Sequence, residues 1–135
     1  MDFMTSVRTC FTKYATFDGR ASRSEFWWFY LFSVLVIMVV YVFPLFFSLM
    51  ASLAPNGAVS GLFSILSLVS NLALFAVSVG LMIPLFAVGS RRLHDRGQSG
   101  WLQMLVLVPC ASIALVVLWI LEGTPGPNMY GPPPA

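Results

Sequence analysis

From Phe26 to Ser90 the chain contains no Asp, Glu, Lys, Arg or His, so everything between Glu25 and Arg91 must fold without a formal charge. Soluble domains carry roughly 25% charged residues. Here charged residues make up 9% of a 135-residue chain and apolar residues 59%. The solvent that fits so long an uncharged interval is the hydrocarbon of a bilayer, where a helix satisfies its own backbone polar groups. The length allows a single domain. The sequence therefore predicts an all-α fold, a polytopic transmembrane helical bundle.

Three apolar runs, at 26–50, 61–89 and 101–121, each reach the length of about 20 residues that crosses a hydrocarbon core of roughly 30 Å, so about three spans are expected. Ser22 and Glu25 form an S-x-x-E capping box that starts the first helix near Arg23, and Trp27, Trp28 and Tyr30 follow at its beginning, where amphipathic rings favour the membrane interface. Pro55-Asn56-Gly57 is a turn signal between the first two runs. The run from Phe26 is too long for a signal-peptide core and lacks a small-residue cleavage site near Met50, so it is expected to remain in the mature protein. Pro109 permits two readings of the last run: one kinked span, or a re-entrant hairpin that returns the tail to the side it left.

Before the first run, Phe3, Val7, Phe11, Tyr14 and Phe17 recur at spacings of three and four, which predicts a short amphipathic helix over 3–17. It either lies in the headgroup region or packs on the protein's own membrane domain. Residues 122–135 are rich in Pro and Gly and cannot propagate a helix; they form either a disordered end or a segment that folds back.

Basic residues cluster at Arg8, Lys13, Arg20 and Arg23 and again at Arg91, Arg92 and Arg96. The positive-inside rule puts both clusters in the cytoplasm, with the N-terminus cytoplasmic and, if the last run spans, the tail on the external side. A net charge of +2 divided between two juxtamembrane clusters gives no basic face for nucleic acid.

Candidate functional residues are few. Arg91, Arg92, His94, Asp95 and Arg96 form a compact anion- or lipid-binding constellation, since guanidinium forks suit phosphate. The plainer reading is that the arginines fix topology against lipid headgroups, Asp95 pairs with one, and His94 is a bystander. Arg20 and Arg23 fall on the same expected face, and either can bridge to Asp95; an exposed pair of that kind contributes only about 0–1 kcal/mol. Ser64, Ser67, Asn71 and Ser78 lie along one helix stripe, which packs against another helix or lines a polar path. Asn128 and Tyr130 give the tail a more specified character than a linker. One His and two cysteines at different expected depths supply no metal site, no catalytic residue is assigned, and no cofactor is expected.

The segments FDGRASRSEFW at 17–27, RRLHDRGQSGW at 91–101 and EGTPGPNMYG at 122–131 resemble the YhaH/YhaI-type family of small bacterial inner-membrane proteins, whose shared domain has no assigned function. The resemblance spans nearly the whole chain and implies a bacterial inner-membrane location; it implies no substrate or cofactor. Met129, where the family often has a basic residue, and the Pro132-Pro133-Pro134-Ala135 end depart from its pattern and bear on the tail alone.

Three functional classes follow. The leading one is a non-enzymatic membrane component that contacts anionic phospholipid or a membrane-protein partner. A small transporter or channel subunit acting as a homo-oligomer is second. An enzyme on a lipid-phosphate substrate, with His94 and Asp95 as its acid/base pair, is third.

Overall fold

The structure, a computed structural model, describes residues 1–134; Ala135, the last residue of the expected tail, lies outside them. Four α-helices and one 3-10 helix follow one another: α1 (Phe3–Thr12), α2 (Arg23–Leu53), α3 (Ala58–Asp95), the 3-10 helix (Gly100–Leu107) and α4 (Pro109–Ile120). The fold is helical, as the charge-free interval requires, and α2 and α3 are the two helices long and apolar enough to cross a membrane. At 1.5 Å per residue, 31 and 38 residues extend about 45 and 57 Å, more than a hydrocarbon core needs.

The chain divides into two compact units, one of Ser33–Leu81 and one of Met1–Phe32 together with the chain from Met82. The first is a helical hairpin closed by the turn at Pro55-Asn56-Gly57. In it the Ser60 hydroxyl donates to the Ala51 carbonyl at 3.1 Å and the Ser67 hydroxyl to the Pro44 carbonyl at 3.4 Å. Pro44 leaves α2 continuous. Most apolar side chains of the hairpin are exposed, Met38, Phe46, Leu68 and Phe75 among them, an arrangement suited to lipid and hostile to water.

The second unit holds the elements that build the site. α1 starts where the Asp2 carboxylate accepts from the Thr5 amide at 2.7 Å, an N-cap bond. It ends at Thr12 rather than reaching residue 17, because Lys13 leaves helical geometry. Its buried positions are Ser6 and Cys10. The flanking Phe3 packs edge-on against Trp28 and Phe11 against Phe29, with ring centroids 5.8 and 5.5 Å apart. Of the two readings of this helix, the structure shows packing on the chain's own first long helix.

Ser22 caps α2 as its spacing predicts, accepting from the Glu25 amide at 3.1 Å. Glu25 does not close the box; its carboxylate turns inward to Arg91 instead. At the other end, α3 stops at Asp95 in a Schellman motif: the Gly97 amide donates to the His94 carbonyl at 2.9 Å and the Gln98 amide to the Leu93 carbonyl at 3.0 Å. Gly97, at φ +72°, supplies the left-handed residue the motif requires.

The apolar run at 101–121 does not form one continuous helix. The run breaks at Val108, whose extended backbone separates the 3-10 helix from α4. Pro109 stands at the start of α4, where its missing N–H costs nothing. Twelve residues of α4 extend about 18 Å, short of a crossing. The two pieces pack on each other and fold back along α3. A Cβ at Gly89 would lie 2.5 Å from Gln103 Oε1 and 3.4 Å from Trp119 Cζ2, so Gly89 receives both arms of the turn. This turn brings the tail to the C-terminal end of α3.

Candidate functional site

Asp95 is the hub of the basic motifs. Its Oδ1 accepts from Arg20 Nε at 2.8 Å and lies 2.7 Å from Arg20 Nη2 in an ion pair, and its Oδ2 is paired with Arg92. The side chains of Arg20 and Asp95 are 1% and 7% exposed, and that of Arg92 is fully buried. These are interior ion pairs, not the surface bridges expected of an interfacial loop. The signal lies in context: the DGR turn leads Arg20 directly over the end of α3, where the Ala21 amide donates to the Arg91 carbonyl at 3.0 Å.

The tail completes this cluster. Arg20 Nη1 donates to the Gly126 carbonyl and Nη2 to the Thr124 carbonyl, both at 2.7 Å. The Thr124 amide and hydroxyl reach the Asp95 carbonyl at 2.8 and 3.0 Å, and Asn128 Nδ2 reaches the His94 carbonyl at 3.0 Å. Carbonyls at a helix C-terminus have no partner within the helix; here the tail provides them. Gly123 passes so close to Asp95 that a Cβ there would collide with the carboxylate. Asn128 and Gly131 exchange backbone hydrogen bonds at 3.0 Å, and Asn128 Oδ1 accepts from the Tyr130 amide at 2.9 Å. The proline-rich end is thus a folded clasp through these residues.

A second interior pair lies one turn earlier on α3. Arg91 Nη1 bonds Glu25 Oε1 at 2.5 Å, with side chains 1% and 3% exposed, while Arg91 Nε and Nη2 have no partner. The Cys10 thiol stands 4.0 Å from the same Glu25 oxygen. Burial pushes that thiol up to about 12, and the neighbouring Glu25 carboxylate adds to the shift.

His94 faces away from Asp95. Its ring stacks on Tyr130, centroids 3.9 Å apart and 4° from parallel, and Nδ1 lies 3.1 Å from the Gly19 carbonyl. A carbonyl only accepts, so Nδ1 carries the hydrogen, the tautomer in which an uncharged imidazole has Nε2 as its acceptor. Beside it opens a cavity of about 620 Å³. Its walls are Phe17, Phe86, Trp101, Met104 and Tyr130; its polar groups are Asp18, Ser90, His94, Ser99 and Gln103. Gly100 leaves space at one end, where a Cβ would meet Ser90 Oγ and lie 3.2 Å from His94 Nε2.

Of the residues singled out in the sequence, Arg20, Arg91, Arg92 and Asp95 are brought together in the buried network, and Asn128 and Tyr130 join it. Arg23 and Arg96 lie at its rim, bonding Glu122 Oε1 at 3.4 Å and the Glu122 carbonyl at 2.8 Å. Ser64 and Ser78 donate to carbonyls one turn back on α3, and Asn71 Nδ2 to the Ser67 carbonyl at 2.9 Å. The serine stripe belongs to the hairpin unit and adds nothing to the cavity. Sequence reasoning missed Ser90 and Gln103, which sit in apolar context, and the pairing of Glu25, whose capping spacing hid its second role.

A family model described as "Protein of unknown function (DUF805)" matches residues 14–132. Inner membrane protein YhaH of Escherichia coli K12 is 31% identical over 122 residues, covering 90% of this chain and 88% of that protein. Inner membrane protein YhaI of the same strain is 34% identical over 122 residues, covering 90% and 87%. No solved structure matches the chain. A match that begins before the DGR turn and ends beyond the Asn128–Gly131 clasp takes in every residue of the charge cluster and the cavity, and the chain belongs to the DUF805 family.

Proposed function

We propose that this protein is a non-enzymatic, lipid-interacting component of the bacterial inner membrane, and that the cavity beside His94 is where an amphiphile docks. The relatives' names as inner membrane proteins support the location. The observation that carries the reading is the cavity itself: about 620 Å³, with aromatic and thioether walls and a few convergent polar groups. Its size and lining are those of small-molecule sites, which run roughly 300–1,000 Å³. Trp101, 80% exposed at its mouth, suits the membrane interface.

The same geometry argues for a particular topology. Two spans, α2 and α3, return the chain to the side it left; the 3-10 helix and α4 form a re-entrant hairpin, and the tail closes over Arg20 and Asp95. Both termini are then cytoplasmic, in place of the external tail that a third span implies. Anionic headgroups are left with Arg23 and Arg96 at the rim, since Arg20, Arg91 and Arg92 are buried and paired. Acid/base catalysis by a His94–Asp95 pair finds no support, because Asp95 is engaged by two arginines and His94 faces the other way.

Native mass spectrometry of protein extracted in mild detergent tests the reading. The wild type is expected to retain a bound lipid that Phe17→Ala and Trp101→Ala variants lose. Equal retention in wild type and variants contradicts it.

A further inference from the structure

We infer that the amphiphile taken by the cavity carries a protonated primary amine as its head, with Asp18 as the counter-ion; this rests on the docking reading above. The inference follows from the charged residues that line the cavity and those that do not. No Lys or Arg lines the cavity, although the chain has seven. Arg20, Arg91 and Arg92 are turned into the adjoining network, with side chains no more than 1% exposed, and Arg96, two residues after His94, donates to the Glu122 carbonyl.

What remains is one acidic residue among donors and acceptors of both kinds. His94 Nδ1 donates to the Gly19 carbonyl and leaves Nε2 to accept. Gln103 Nε2 is held by the Phe86 carbonyl at 2.9 Å. Asp18, on an exposed turn, supplies the one carboxylate among the lining residues and makes no hydrogen bond or ion pair among the described residues. The hydroxyls of Ser90, Ser99 and Tyr130 can donate as well as accept, and Trp101 Nε1 and the second N–H of Gln103 Nε2 can donate.

A phosphate or carboxylate placed against Asp18 would find no Lys or Arg in the lining to offset the repulsion, so in a phospholipid it is the terminal group, and not the phosphodiester, that belongs there. A primary ammonium reverses every sign: its three N–H groups match Nε2, a serine oxygen and the carboxylate, and its charge favours the faces of the surrounding aromatic rings. Phe17, Phe86 and Met104 offer apolar surface to an attached chain. A quaternary ammonium has the charge but no N–H to donate, so the two types of cation are distinguishable.

Purified protein, freed of lipid by detergent exchange, is offered phosphatidylethanolamine, phosphatidylcholine and phosphatidylglycerol with matched acyl chains, and the bound species are read by native mass spectrometry. Phosphatidylethanolamine is expected to be enriched about five- to tenfold over the other two, as one ammonium gaining a carboxylate and aromatic faces implies. Asp18→Asn, an isosteric change on an exposed turn, should remove most of that preference. Dodecylamine separates the sources of the amine: displacement of bound phosphatidylethanolamine assigns recognition to the ammonium and chain alone, and failure to displace assigns it to the whole lipid head, both within the inference. Lipid binding without head selectivity, a preference for phosphatidylglycerol, or a preference unchanged in Asp18→Asn overturns the amine assignment and leaves the docking reading standing. Absence of any bound lipid overturns both.

Discussion

Arg20 and Asp95, 75 positions apart in the chain, meet at 2.8 Å in the protein interior. The pair joins the start of α2 to the end of α3, and the remaining nitrogens of Arg20 carry the tail. One guanidinium thereby holds three segments that the sequence keeps far apart. A buried charge left without its partner costs about 3–5 kcal/mol, which makes this residue the natural place to test the architecture.

Arg20→Ala and Asp95→Ala are each expected to destabilise by about 3–5 kcal/mol, Asp95→Ala at least as strongly because it leaves both Arg20 and Arg92 unpaired. The double variant should lose less than the sum. Exchanging the two charges is not expected to restore stability, since a carboxylate at position 20 would face the carbonyls of Thr124 and Gly126. Thermal unfolding in detergent measures all four proteins; strict additivity would show that the two residues do not interact.

Two glycines give opposite expectations. Gly123→Ala drives a methyl group into the Asp95 carboxylate and should cost about 1–3 kcal/mol, the usual range for overpacking. Gly61→Ala, in α3 with nothing near its Cβ position, should gain about 0.5–1 kcal/mol. A tail that swings free of α3 would make Gly123→Ala neutral in the same unfolding assay.

Cys10 and Cys110 should differ as nucleophiles. Cys10 is buried and its thiol is raised to about 12, whereas Cys110 is exposed. A membrane-permeant maleimide at pH 8 is therefore expected to modify Cys110 in the folded protein and Cys10 only after unfolding. The folded state holds the Cys10 proton more tightly than the unfolded chain, whose thiol titrates near 9.0. The stability from the protonated thiol is thus fully present below about pH 9 and is lost as pH rises toward 12. Cys10→Ala should flatten that alkaline decline; an unchanged slope means the thiol is not the group responsible.

The membrane character and the two long helices were legible because charge is absent between Glu25 and Arg91, a property of composition that no packing can reverse. Local signals also read well: Ser22 caps α2, and Pro55-Asn56-Gly57 marks the turn before α3. Burial of Arg20, Arg91 and Arg92 was not legible, since a cluster of arginines beside an apolar run has the same local pattern whether it faces lipid phosphates or interior carboxylates. What decides between them is the path of the tail, and that depends on how the chain turns at Val108 and Pro109. A 21-residue apolar run satisfies the length of a span whether or not its helix breaks. The cavity depended on the same turn, which sets Ser99, Gly100 and Gln103 beside Ser90 and His94.

Single cysteines at Ser22, Gly57, Ser99 and Met129, in a Cys10/Cys110-free background, measure the topology most directly when labelled with an impermeant thiol reagent in intact and opened cells. Met129 is 82% exposed and free to react. Gly57 alone is expected to label from outside, with Ser22, Ser99 and Met129 reached only after the membrane is opened. Labelling of Met129 in intact cells would put the tail on the opposite side from Arg20 and Asp95 and contradict the clasp.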